Sequence, residues 1–259
     1  MTDIHATAIV HGSAELGEGV RIGPYTTVGP HVKMGEGCEV RSHAALDGWT
    51  EIGAGVQIYP FASVGLPPQD LKYRGEKTIL RVGEGTVIRE SATLHPGTAG
   101  GGSVTVVGKN CLLMVGVHIA HDCILGNNII MANGTHLGGH VEIADGAIIG
   151  ALCGIHQYAR IGTMAMTAAG AMVAQDVPPY CIVQGDHARL AGLNTVGLKR
   201  NGMCPAEISN IKKAYQILFR GKALFKDRLA QVERELSGAP EVDCLMKFVR
   251  GDSKRGLVR

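Results

Sequence analysis

The segment Val117-His118-Ile119-Ala120-His121-Asp122, followed by His136, Gly139, His140 and the pair His156-Gln157, is the richest polar cluster in the chain. Its spacing is regular. His118 and His136 are 18 residues apart, and His121, Gly139 and Gln157 follow one another at the same interval. A histidine titrates near neutrality and suits a base that takes a proton from a hydroxyl nucleophile. Asp122, next to His121, would orient the imidazole and stabilise its charged form. The N–H of Gly139, free of a side chain, would approach a developing oxyanion closely. Base, orienting carboxylate and oxyanion donor together are what acyl transfer to a hydroxyl requires. Clustered histidines also serve metal ions, and any one of them alone is an ordinary surface or turn residue. The common interval is what lifts the group above that.

An interval of 18 needs a scaffold that repeats on that length. From Val10 every sixth residue is aliphatic: Val10, Leu16, Ile22, Val28, Met34, Val40, Leu46, Ile52, Ile58, Val64. Two places earlier stands a small or β-branched residue, and Gly often follows the aliphatic, as at Gly17, Gly23, Gly35 and Gly53. The pattern breaks over 66–77, resumes at Val82, Ile88 and Leu94, breaks again over the Gly-rich 96–103, and then runs from Val107 to Val173 with Thr167 its one polar exception. A helix would recur near 3.6 residues and a plain strand at 2. Six residues make one short strand and one turn, and three such units close a triangular coil of 18. The aliphatic is expected to point inward, and the adjacent Gly to permit the turn. Neighbouring coils then lie about 4.8 Å apart, so the polar cluster becomes one strip of surface.

Val177-Pro178-Pro179-Tyr180 is expected to end the ladder. From Pro205, Ile208, Ile211, Tyr215, Leu218 and Phe219 recur at helical spacing, with further helices over 223–236 and 241–249. The expected domains are 1–190, a β-helix with inserts near 66–77 and 96–103, and 191–259, a helical domain. Charge divides similarly: residues 1–198 hold 11 Lys and Arg against 16 Asp and Glu, net −5, and 199–259 hold 14 against 7, net +7. A basic surface is a solvated helix face or a dock for an acidic protein; no recognised motif supports nucleic acid. The first residues lack the basic cluster and apolar run of a signal peptide, and no stretch approaches a membrane span. Seven cysteines without CxxC spacing, with Cys38, Cys111, Cys123 and Cys153 on inward positions, read as buried small hydrophobes in a reducing compartment. The expected location is the cytoplasm.

The repeat resembles the hexapeptide acyltransferase superfamily, which implies a left-handed coil and a mainly β fold with a small helical C-terminal domain. Gln69-Asp70-Leu71-Lys72-Tyr73-Arg74-Gly75, His118–Cys123, Leu137-Gly138-Gly139-His140, His156-Gln157, Gly197-Leu198-Lys199-Arg200 and the ending Arg255–Arg259 are similar to the acyl-[acyl-carrier-protein]–UDP-N-acetylglucosamine O-acyltransferases, the family that opens lipid A biosynthesis. The resemblance implies a homotrimer with sites between subunits, UDP-N-acetylglucosamine as acceptor and acyl carrier protein as donor. No cofactor is implied beyond the carrier's phosphopantetheine, and no metal. It makes His121 the base, Asp122 its partner and Gly139 the oxyanion donor. Gln69, Asp70, Lys72, His118, His140 and Gln157 would hold the sugar, its diphosphate and the acyl pantetheine. His156, His187, Asn194 and Arg200 would supply outer contacts, some from a neighbouring subunit. Lys212, Lys213, Arg220 and Lys222 would dock the acidic carrier.

The chain departs from that family at three places. Val196 stands where the family has Glu facing the nucleotide. Gly116 replaces a larger polar residue, which would suit an acceptor with an amine at C3, as in an N-acyltransferase acting on a 3-amino sugar nucleotide. Ala169 lies at the acyl-chain ruler, with Met114 and Met172 nearby, and implies a 3-hydroxyacyl chain of about ten to fourteen carbons. The related N-acyltransferase of the same pathway usually carries a domain before the repeat, whereas here the repeat begins within ten residues of Met1, so the length is expected to speak against it. A trimeric zinc hydratase would leave the first insert and the basic tail without purpose, and an inert prism would leave the histidines unexplained.

Overall fold

The computed structural model describes residues 1–259, and in it the six-residue period becomes three walls of a prism. Strands, most of them two residues long, gather into sheets of 11, 9 and 8 strands, parallel but for one antiparallel strand at the end of the first, and up to Val173 successive strands go to successive sheets. Each sheet therefore collects every third strand, and its register advances by one coil: His118 pairs with His136, and Ile119 with Leu137. Across the inserts the same ladder continues at wider intervals, Ser63 pairing with Thr93 and Thr93 with His118. The inserts thus leave the prism without breaking it. This is the β-helix that the repeat implied, with the left hand that the family resemblance implied.

The inward residues form one continuous core of 43 buried side chains. Val10 and Leu16 are only partly covered, because the first coils have no neighbour beneath them. Thr167, the polar exception, is fully buried, but its hydroxyl accepts from the Gly150 N–H at 3.0 Å, so burial leaves no orphan.

The expected role of the glycine after each aliphatic is corrected here. The corner is turned two residues later, at a residue with positive φ: Gly19, Tyr25, Gly37, His43, Gly55 and Phe61 in the lower coils, and Asp122, His140 and Tyr158 in the upper ones. The glycine itself relieves crowding between coils. A methyl group at Gly35 would stand 2.6 Å from the Ala54 nitrogen, and one at Gly53 2.6 Å from that of Glu84.

Beyond Pro178 and Pro179 the ladder, expected to stop, makes one more rung. Cys181–Gln184 pairs in parallel with Met166–Thr167, then antiparallel with Arg189–Leu193. The boundary expected at residue 190 thus falls inside a strand. Four helices follow: α1 (Thr195–Arg200), which periodicity did not single out, α2 (Pro205–Tyr215), α3 (Phe225–Leu236) and α4 (Pro240–Arg250). They enclose a second core around Leu198, Ile211, Leu218 and Val242. No helix is long and apolar enough to cross a membrane. The chain end then returns to the prism. Val258 donates to the Asp176 carbonyl at 2.9 Å and joins the prism core, and the buried Asp176 carboxylate holds Arg160 at 2.7 Å.

Two glycines two residues apart separate these roles. Gly35→Ala should cost roughly 1–3 kcal/mol through coil–coil overlap. Gly37, at φ +66 with nothing within 4 Å of a methyl group, should accept Asn for less than about 1 kcal/mol. Urea unfolding of both variants checks this, and the reverse order would refute the assignment.

Candidate active site

The corner after strand His118–Ile119 is where the chemistry gathers. His121 Nδ1 lies 2.8 Å from Asp122 Oδ2; the imidazole side chain is 17% exposed and the carboxylate 0%. With Nδ1–H donating to the carboxylate, Nε2 keeps its lone pair toward the surface. Gly139 sits one coil above. A methyl group there would stand 2.6 Å from His121 Cε1 and 2.8 Å from Nε2, so only glycine leaves the ring its place. The N–H groups of Gly138 and His140 on either side are bound to the ladder, at 2.9 and 3.0 Å, but that of Gly139 is not. An open donor and an open base therefore share one spot.

His140 completes the corner. Its ring meets that of His121 edge-on at 5.2 Å and stacks on Tyr158 at 4.4 Å, and its Nε2 is 3.9 Å from Asp122 Oδ2. Lys254 from the returning tail lies 4.1 Å from the Tyr158 ring centroid. A cleft of about 420 Å³ opens beside them, between Asp122, His140, Tyr158, Arg160 and Lys254. Burial lowers the His140 pKa, with Asp122 opposing it. On the adjoining face His118 Nδ1 is 2.7 Å from Thr93 Oγ1, and burial, aided by His95 and His136, pushes its pKa down to about 4.

The first insert folds toward this corner. Its Leu66 carbonyl is 3.0 Å from His95 Nδ1, and Glu76 Oε1 accepts from Ala99 N–H at 3.3 Å. Asp70 is near enough for its charge to act on His140, while its Oδ1 accepts from the Lys72 N–H at 2.9 Å. Gln69 and Lys72 are exposed.

Other expected residues are more dispersed. Gln157 and His156 are exposed one coil beyond Gly139, with His156 Nδ1 3.0 Å from the Gln157 carbonyl. His187 and Arg200 are exposed on the hairpin turn and at the end of α1, beyond the last coil. Asn194 has partners within its own subunit. It is 4% exposed, caps α1 by accepting from Gly197 N–H at 3.1 Å, and donates to the Met164 carbonyl at 3.0 Å. Met172 and Ala169 are exposed in one coil, the Met172 sulfur resting where Gly154 leaves room. Met114 does not join them, since it lies three rungs, about 14 Å, away on the Leu113–Met131–Ile149–Thr167 ladder. Gly116 has a backbone reason: it turns the opposite corner of the same sheet at φ +68, directly below Gly134 at φ +66. Lys212, Lys213, Arg220 and Lys222 are all exposed in or just after α2, with Arg220 donating to Tyr215 Oη at 3.1 Å.

Three residues at the site escaped the spacing argument: His95, Thr98 and Thr105. Thr98 donates to Asp122 through its N–H at 2.9 Å and its hydroxyl at 2.7 Å, and Thr105 Oγ1 accepts from Asp122 N–H at 2.8 Å. The available signal was the Gly97–Gly102 run itself. As metal ligands, His121, Asp122 and His140 each offer an atom within 4.8 Å of the others. Asp122 Oδ2 already meets the Thr98 hydroxyl at 2.7 Å and His121 Nδ1 at 2.8 Å.

The family model for UDP-N-acetylglucosamine O-acyltransferase, domain 2, matches residues 176–258, and the bacterial transferase hexapeptide model matches residues 13–48. The acyl-[acyl-carrier-protein]–UDP-N-acetylglucosamine O-acyltransferase of Myxococcus xanthus is 47% identical over 259 residues, 100% of each chain. That of Thermodesulfovibrio yellowstonii is 46% identical, again over 100% of both. The solved UDP-N-acetylglucosamine acyltransferase of Bacteroides fragilis superposes with a TM-score of 0.95 at 38% identity, covering 98% of this chain and 99% of that one. With relatives this similar along its whole length, carrying its fold and its repeat, the chain belongs to the acyl-[acyl-carrier-protein]–UDP-N-acetylglucosamine O-acyltransferase family.

Proposed function

We propose that this enzyme transfers a 3-hydroxyacyl chain from the phosphopantetheine of acyl carrier protein to the 3-hydroxyl of UDP-N-acetylglucosamine, the first step of lipid A biosynthesis. It works in the cytoplasm as a homotrimer with sites between subunits, and needs neither metal nor prosthetic group. The observation that carries the mechanism is the His121–Asp122 pair lying under the free N–H of Gly139. His121 Nε2 takes the proton from the sugar hydroxyl, whose oxygen attacks the thioester carbon. The oxyanion receives the Gly139 N–H, and Asp122 stabilises the imidazolium. Collapse breaks the carbon–sulfur bond, and the proton passes from Nε2 to the leaving thiolate. No covalent enzyme intermediate forms.

Substrate parts follow from the surroundings. Asp70 keeps one carboxylate oxygen for a sugar hydroxyl, and Lys72 and Arg200 suit the diphosphate. The face running from His118 over His136 and Gly154 to Met172 spans three rungs, about 14 Å, and offers the acyl chain a shallow track ending beside Ala169. The exposed lysines and arginine around α2 face the acidic carrier.

Turnover of purified enzyme with UDP-N-acetylglucosamine and a ladder of 3-hydroxyacyl carriers tests the reading. His121→Ala should lower kcat by about 10²–10⁴-fold with the trimer intact; activity above a tenth of wild type would overturn the base assignment. The preferred chain should be of about ten to fourteen carbons and lengthen in Ala169→Gly, and a wild-type preference for sixteen would refute the track. His118 supplies a pH signature. Folded, it stays neutral down to about pH 4, whereas the unfolded chain takes up that proton near 6.5. The unfolded state then binds the extra proton, so stability falls as pH drops through this window. His118→Gln should flatten the fall in urea midpoint over that range; parallel curves would contradict it.

A further inference from the structure

The Gly-rich insert holds no residue of the proposed proton path, yet it is built against the path's buried end. Thr98, 6% exposed, donates to both oxygens of Asp122: its N–H to Oδ1 at 2.9 Å and its hydroxyl to Oδ2 at 2.7 Å. Oδ2 is also the oxygen that faces His121 Nδ1 at 2.8 Å. One residue thus fixes the plane of the carboxylate and shares its catalytic oxygen. Because the Asp122 side chain is fully buried, water does not stand in for either donor.

The insert is shaped for this contact. A side chain at Gly101 would overlap the Asp122 carboxylate, and one at Gly97 would stand 2.8 Å from its Oδ1. Thr98 is pinned in turn: its carbonyl accepts from Gly101 N–H at 3.0 Å and Ser103 N–H at 2.9 Å, and Gly97 N–H donates to the Ile79 carbonyl at 3.3 Å. The Ala99–Glu76 hydrogen bond ties the same turn to the insert that carries Asp70 and Lys72.

We infer that Thr98 is a positioning residue for catalysis, aiming Asp122 and hence the His121 imidazole, a role that rests on His121 acting as the base. Its hydroxyl also tempers the carboxylate. A hydrogen bond donated to Oδ2 lowers that oxygen's basicity and so limits how strongly it holds the imidazolium. Without the hydroxyl the carboxylate keeps only the Thr98 N–H on Oδ1 and aims the imidazole less squarely, while Oδ2, left to His121 alone, binds the imidazolium proton more tightly. Turnover falls, and the base titrates at higher pH.

The test is a mutant cycle read by steady-state kinetics across pH, using wild type, Thr98→Val, Thr98→Ser, Asp122→Ala, His121→Ala and the Thr98→Val/Asp122→Ala double variant. Thr98→Val should lower kcat roughly ten- to hundred-fold, with KM for UDP-N-acetylglucosamine within about two-fold of wild type. Its acid limb should move to higher pH, and Thr98→Ser should restore most of the rate. On the Asp122→Ala background Thr98→Val should cost nothing more, because the group it aims is gone. Wild-type kcat and pH profile in Thr98→Val, a loss confined to KM, or the same loss with and without Asp122 would each overturn the inference. Thr98→Ala, which leaves space instead of filling it, serves the cycle if the valine variant does not fold. His121→Ala separates the two readings. Full activity there overturns the base assignment, whereas an inactive His121→Ala beside an additive Thr98→Val overturns only the positioning role.

Discussion

The structure depends on how its corners are turned. Two of the three corners of each coil pass through a left-handed residue nearly throughout, and Gly or Asn fills many of these places, such as Gly55, Gly85, Asn110 and Asn128. At the third corner, between the second and third sheets, the upper coils put Asp122, His140 and Tyr158 there, at φ 60, 61 and 66. A residue other than Gly in this conformation costs about 1–2 kcal/mol, least for short polar side chains such as Asp. The conformation presents His121 and Gln157 at the surface while the Asp122 side chain passes beneath the insert. The site is made by the turn that closes the coil.

That dependence explains what was legible in the sequence. A period of 18 survives in the text of the chain, so the column of His121, Gly139 and Gln157 and the pairing of His118 with His136 could be read from intervals alone. The role of the glycines could not. Gly35 and Gly37 are the same letter, and only coordinates distinguish one that avoids a clash from one that turns a corner. The inserts hid more. Thr93 pairs with His118 across 25 residues, not 18, so His95 and Thr98 fell out of the arithmetic although they touch the site. Asn194 reads the same either way in the sequence, because a helix cap and an outer ligand use the same amide.

Charge within the cluster is arranged by burial. Two imidazole pairs, His95 with His118 and His121 with His140, meet edge-on at 5.3 and 5.2 Å, and protonating several rings together would cost mutual repulsion. His118 and His140 are held toward their neutral forms, mainly by desolvation. Only His121 has a carboxylate at hydrogen-bond distance. His121 is thus the ring that a carboxylate orients, while His118 and His140 remain available as neutral hydrogen-bonding groups.

The helical tail extends the same logic to the donor. Its net charge of +7 sits against a prism of −5, which on its own would fix only an attraction. What fixes position is the returning chain end. Asp176 grips Arg160 and the backbone of Gly256 and Val258, while Arg160 stacks on Phe248 of α4 at 4.6 Å and Lys254 reaches Tyr158. Tyr158 stacks on His140, and His140 meets His121. The proposed dock around α2 shares a core with α4, so it is rigidly related to the corner where the thioester must arrive. On the proposed docking, proximity for the second substrate rests on packing that exists before the carrier binds.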